Sequence, residues 1–267
     1  HSHRLNAMNL NDLSPFFDEH GRCIPAGLHA PALAQSRRYF QIAPQAIDYA
    51  AIHARTTRHL GDSGVSAADF AQRCTTLLQK LREDPQTHNL TLGIAVPFLL
   101  PQATHADYGT ALAERYLPAV DQAFAETFPQ YRYTDHNKVA LPGQLGIAPG
   151  SRHERLLQAM QQGPVVGIYF PCLSEYSLPA ALERVQHLPQ QFLLAGGYDT
   201  SAALIGTPGL LQRTDGYPPL LWLAAVQAEK PLVAYYFEAY GYNLTFNRRP
   251  HFGQAAEYWN SGLVVLG

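Results

Sequence analysis

From Asn89 onward, short apolar runs alternate with segments of helical period, and this alternation limits the fold more than any other feature of the chain. The runs are LTLGIAVPFL, PVVGIYF, QFLLAGG, PLVAYYFE, YNLTFN and GLVVL. Between them lie DYGTALAERYLPAVDQAFAETF, SRHERLLQAM, LPAALERVQHL and a segment opening at DTSAALI. Strands that are apolar on both sides need cover on both faces, and interleaved helices supply it. The expectation is an α/β fold, three-layered, with a mostly parallel or mixed sheet and a helical N-terminal region before it. Pro118 must kink or restart the helix that contains it. AYYFEAYGYNLTFN also reads as a hairpin turning at Tyr240 and Gly241, which would bring an antiparallel pair into the sheet. Pro218 or Pro219 suits the first turn of a further helix, and GQAAEYW reads as another.

Ahead of the alternating region the character differs. His1 to His3 read as a tag remnant. Residues 4–41 mix Pro, Gly, His and Asn without a sustained period and read as an irregular arm. APQAIDYAAIHARTTRHLG reads as a helix with Pro44 near its first turn and Gly61 after its last. In SAADFAQRCTTLLQKLRED, Ser66 and Asp69 have capping-box spacing, and Phe70, Cys74, Leu77, Leu78 and Leu81 share a face. The expected organisation is therefore a tag remnant at 1–3, an arm with two helices at 4–88 packed on the main domain, and an α/β main domain at 89–267.

Composition removes several classes. The chain is 46% hydrophobic and 15% charged, too apolar for intrinsic disorder. A net charge of −2 with no run of Lys and Arg gives no footprint for nucleic acid, and pairs such as those in QSRRYF and NRRPH read as solvated surface or a single ion pair. The longest apolar run, Leu90 to Leu100, is shorter than the roughly 20 residues of a membrane span, and no charged-then-apolar leader is read at the start. Three widely spaced cysteines suggest neither a disulfide framework nor a CxxC metal site, so a reducing cytoplasm is expected. Metal binding would need assembly from scattered loops, for example His105, Asp107, Asp135, His136 and His153; the reading assigns no metal site and names no cofactor.

Three corners, each following an apolar run, carry the candidate chemistry. In LLAGGYDTSAAL, Gly196 and Gly197 permit a sharp turn, and Asp199, Thr200 or Ser201 can cap the next helix or, with its free N–H groups, hold an anion. Cys172, in GIYFPCLSEYSL, is the one cysteine placed for reactivity; His136 or His153 would be its base and Asp135 or Glu175 would orient that base. Tyr240 and Arg248 belong to an aromatic stretch that reads as a pocket wall for a flat anionic ligand or as ordinary strand packing. Together these corners suggest an enzyme acting on a small polar or anionic metabolite at the C-terminal edge of the sheet, by Cys-dependent transfer or hydrolysis. The alternatives are a non-catalytic small-molecule sensor or carrier, and a homo-oligomer using its aromatic C-terminal region as interface.

Overall fold

The computed structural model describes residues 15–267. The tag remnant expected at 1–3 and the opening of the arm, to residue 14, lie outside the described residues. The rest of the arm is irregular, with isolated bridges at Phe17, Ala32 and Phe40. The first helix, α1 (Tyr49–Leu60), starts later than Pro44 suggests because Asp48 caps it, accepting from the Ala51 N–H; it closes at Gly61 with φ of 93°. Helix α2 (Ala67–Glu83) opens at Ser66, whose hydroxyl accepts from Asp69 N at 3.1 Å. A 3-10 turn over His88–Leu92 then leads into β1 (Val96–Leu100).

Pro118 restarts its helix as its chemistry requires. Helix α3 (Tyr108–Ala111) passes through a π turn at Leu112–Tyr116 into α4 (Leu117–Thr127), with the proline in the new first turn. There follow β2 (Tyr133–Asp135), β3 (Gly146–Ile147), α5 (Glu154–Gln162), β4 (Val165–Ser174), α6 (Leu178–Gln186), β5 (Phe192–Leu194) and α7 (Gly197–Gly206). The segment after Pro219 is not a helix. It gives β6 (Leu221–Trp222) and β7 (Val226–Gln227), because neighbouring strands claim its backbone. The hairpin of β8 (Val233–Tyr240) and β9 (Asn243–Pro250) turns through Gly241 and Tyr242, one residue later than expected, with Gly241 at φ +61°. GQAAEYW forms turns instead of a helix; seven residues are too few to nucleate one without help, and Trp259 is drawn against Trp222. The last strand is β10 (Asn260–Leu266).

The eight-stranded sheet is mixed, in the order β1-β4-β10-β6-β8-β9-β2, with β5 also on β10. Only β10–β6 and β2–β9 are parallel pairs. A separate two-stranded ladder joins β3 and β7. Strands β4, β5 and β8 nevertheless point the same way, since β4 and β5 are each antiparallel to β10 and β8 is antiparallel to β6. Period-two alternation divides the apolar side chains between two cores. Tyr169, Leu193, Tyr235, Phe237 and Val264 face α4, α5 and α7, whereas Ile168, Phe170, Leu194, Trp222 and Leu263 face α2 and α6. Among the described residues no helix is long and apolar enough to cross a membrane.

Candidate functional site

The corner between β5 and α7 is filled by the protein itself. Asp199 Oδ1 accepts from Gly196 N at 2.8 Å and from Thr200 N at 3.0 Å, and the Tyr108 hydroxyl accepts from Gly197 N at 2.7 Å. The helix N-terminus is thus capped internally, as a turn with an aspartate cap would have it. A Cβ at Gly196 would lie 2.4 Å from His153 Nε2, so the glycine admits an imidazole. Gly196, Gly197, Asp199, Thr200 and Ser201 are all buried.

His153 is buried at the same corner, on the core face that holds Tyr108 and Tyr198. Gly197 N donates to the Tyr108 oxygen, and the Tyr108 hydroxyl and His153 Nε2 share a hydrogen bond of 2.8 Å. His153 Nδ1 lies 3.7 Å from Asp199 Oδ2. Burial lowers the His153 pKa, against the pull of Asp199, and raises those of Asp199 and Tyr108. Ser201 Oγ and Ser261 Oγ are also buried and, among the described residues, have no hydrogen-bond partner.

Cys172 lies on the opposite sheet face, among the side chains packed by α2 and α6. His153 therefore does not meet it. Nor does His136, which follows β2, five strands along the sheet and roughly 24 Å away at ordinary strand spacing. Burial holds the Cys172 thiol well above its ordinary pKa, with the nearby Cys23 adding to the rise. Glu175 follows β4 in left-handed backbone, φ +64°, and is buried with its Oε1 accepting from Ser36 Oγ at 3.0 Å. Burial raises its pKa too. Tyr240 stands exposed at the hairpin tip, and Arg248 is paired with Glu229, both well along the sheet from β4. Asp107 caps α3 through Thr110, and among the described residues no three His, Cys, Asp or Glu side chains are grouped to hold a metal ion.

What the end of β4 does border is a cleft of about 950 Å³, between the arm and the sheet. Its floor is Pro171, Cys172, Ser174 and Asn260; its walls come from the arm, from residues 91–95, and from Arg82 of α2 and Arg213. The arm is laced onto the sheet. Cys23 N donates to Cys172 O at 2.9 Å, Leu33 N to Glu175 O at 3.0 Å, and the Tyr176 hydroxyl to Cys23 O at 2.7 Å. Gly21, at φ +84°, crosses Gly93 so closely that a Cβ would sit 2.8 Å from its Cα. Arg22, itself buried, donates to Ser174 O and Leu33 O and lies 3.8 Å from Glu175.

Among the described residues, four arginines line the cleft, Arg22, Arg38, Arg82 and Arg213, against two carboxylates, Asp18 and Glu19. Asp18 is engaged with the His20 and Arg22 N–H groups. Arg213 is tied to Asp215 and to Gln41 O. Arg38 differs: among the described residues its guanidinium makes no hydrogen bond or ion pair, and its backbone holds φ +55°. On the floor, Asn260 Nδ2 donates to Pro171 O while Oδ1 is buried without a partner. Sequence reasoning singled out Cys172 here but missed Arg22, Arg38, Arg213 and Asn260. The signal for Arg38 was QSRRYF, a basic pair beside two aromatics. The chain matches no protein-family model, no curated protein sequence and no solved structure.

Proposed function

We propose that the protein binds a small anionic molecule in the cleft between its arm and the end of β4. The observation that carries this reading is the guanidinium of Arg38, unpaired among the described residues, in a cleft of about 950 Å³ whose described arginines outnumber its carboxylates four to two. A cavity of that size suits a metabolite, and an unengaged arginine suits phosphate or carboxylate. Left-handed backbone at Arg38, a non-glycine residue, is the kind of strain that ligand-binding positions store.

Of the catalytic and non-catalytic versions, the second is favoured by the state of Cys172. A nucleophilic thiol needs a depressed pKa or an adjacent base, and this one is desolvated with His136 and His153 elsewhere. The Cys172 thiol should stay unalkylated by iodoacetamide at pH 7.5 until the protein is unfolded. Fast modification of the folded protein, located by mass spectrometry, would restore the transfer or hydrolysis reading.

Isothermal titration calorimetry with inorganic pyrophosphate tests the binding reading. The wild type should bind, and Arg38→Ala should bind at least tenfold more weakly, as expected for loss of a charged hydrogen bond worth about 1.5–3 kcal/mol. No binding of pyrophosphate or citrate at millimolar concentration would refute it.

A further inference from the structure

The segment Arg37 to Gln41 is a partition between two hollows. Arg38, Phe40 and Gln41 line the large cleft, while Arg37, Tyr39 and Phe40, with Glu257, line a neighbouring open hollow of about 340 Å³. Phe40 borders both. The hollow differs from the cleft in chemistry. Its charges are already paired, with Arg37 Nε and Nη2 each donating to Glu257 at 2.8 Å, and its remaining walls are aromatic.

Tyr39 is the most unusual of these walls, because it keeps 57% of its surface exposed and Tyr217 keeps 60%. The two rings stack at 5.7 Å with planes 25° apart, and Tyr39 meets Phe40 edge-on at 5.0 Å. Backbone pairing holds them there, since Gln41 N donates to Tyr217 O at 2.9 Å and Phe40 bridges to Tyr217. An aromatic shelf that is both fixed and solvent-facing offers a ring face without the entropy cost of ordering it.

Resting on the anion reading of the cleft, we infer that the ligand is an anion joined to a flat heteroaromatic ring, as in a nucleoside diphosphate. Its charged end lies against Arg38 and its ring crosses the partition to stack on Tyr39, with Phe40 at its edge. The paired Arg37 and Glu257 then present hydrogen-bonding edges to the ring's heteroatoms. Tyr217 acts as a positioning residue through Tyr39.

Calorimetric titration with ADP, UDP and inorganic pyrophosphate separates this inference from the reading beneath it. At least one nucleotide should bind tenfold or more tightly than pyrophosphate. Tyr39→Ala should abolish that preference while leaving pyrophosphate affinity within twofold, Tyr39→Phe should retain it, and Arg38→Ala should weaken all three ligands. Tyr39 is exposed, so its substitution does not threaten the core. If pyrophosphate binds through Arg38 as tightly as either nucleotide, or if Tyr39→Ala leaves the preference intact, the ring shelf is overturned and the anion site stands. If none of the three binds, both fall.

Discussion

A methyl group at Gly109 would come within 1.9 Å of the Leu141 carbonyl oxygen, a contact that only backbone movement could relieve. Gly109→Ala should therefore destabilise the fold by about 3 kcal/mol, at the upper end for overpacking. At Gly146, where an added Cβ meets nothing within 4 Å, Gly146→Ala should change stability by less than about 0.5 kcal/mol. Urea unfolding of both variants measures the contrast. His153 makes a different demand. With its pKa lowered by burial, the folded state resists a proton that the unfolded chain accepts near pH 6.5, so stability falls as pH drops through that value. Asp199 carries the opposite sign: its raised pKa gives stability present at low pH and lost as pH rises through the folded value. Between pH 7.5 and 5.5 the wild type should lose more stability than His153→Gln, whose remaining loss comes from His59, His105 and His251, whose pKa values burial also lowers. The string LLAGGYDTSAAL offered the Asp199 cap but none of the rest of this corner's chemistry. Glycines that accommodate an imidazole and glycines that accommodate a ligand look alike until His153 and Tyr108 arrive from distant segments.

Elements with local instructions behave as those instructions dictate. Ser66 is the N-cap of α2, whose apolar face packs on the sheet through Phe70, Cys74, Leu78 and Leu81. Ser66→Ala should cost about 1 kcal/mol, read as a lowered denaturation midpoint with an unchanged slope. This helix, the restart at Pro118 and the β8–β9 hairpin were legible because caps, prolines and turn glycines act within a few residues. Strand β6 was not. Leu221 and Trp222 adopt extended backbone because β10 and β8 flank them, and no property of PPLLW announces those partners. The same limit applies to strand direction: the runs identify strands, but the largely antiparallel pairing depends on the path each connection takes. The site was half legible for this reason. Cys172 was read as lying just past a strand, whereas β4 runs on through it to Ser174, and the arm that covers it is irregular and left no periodic trace.

Considered whole, the molecule is an arm clamped across one end of a two-cored sheet, with Arg22 as the principal clamp. Its guanidinium reaches both Ser174 O and Leu33 O, and it also lies over the Tyr176 ring at 5.8 Å. Arg22→Met keeps the aliphatic stem and loses these bonds. Residues 24–38 should then become cleavable by trypsin under native conditions, with pyrophosphate affinity lost in parallel and the rest of the chain protected. The position of β10 has a separate effect, on biosynthesis. This strand is flanked by β4 on one edge and by β5 and β6 in succession on the other, so the centre of the sheet is supplied by residues 260–266. While a ribosome is still translating β9, the earlier strands stand without their common partner and present open, apolar edges. The nascent chain is most exposed to misassociation at that stage, and a chaperone that shields strand edges would act on it before residue 260 emerges.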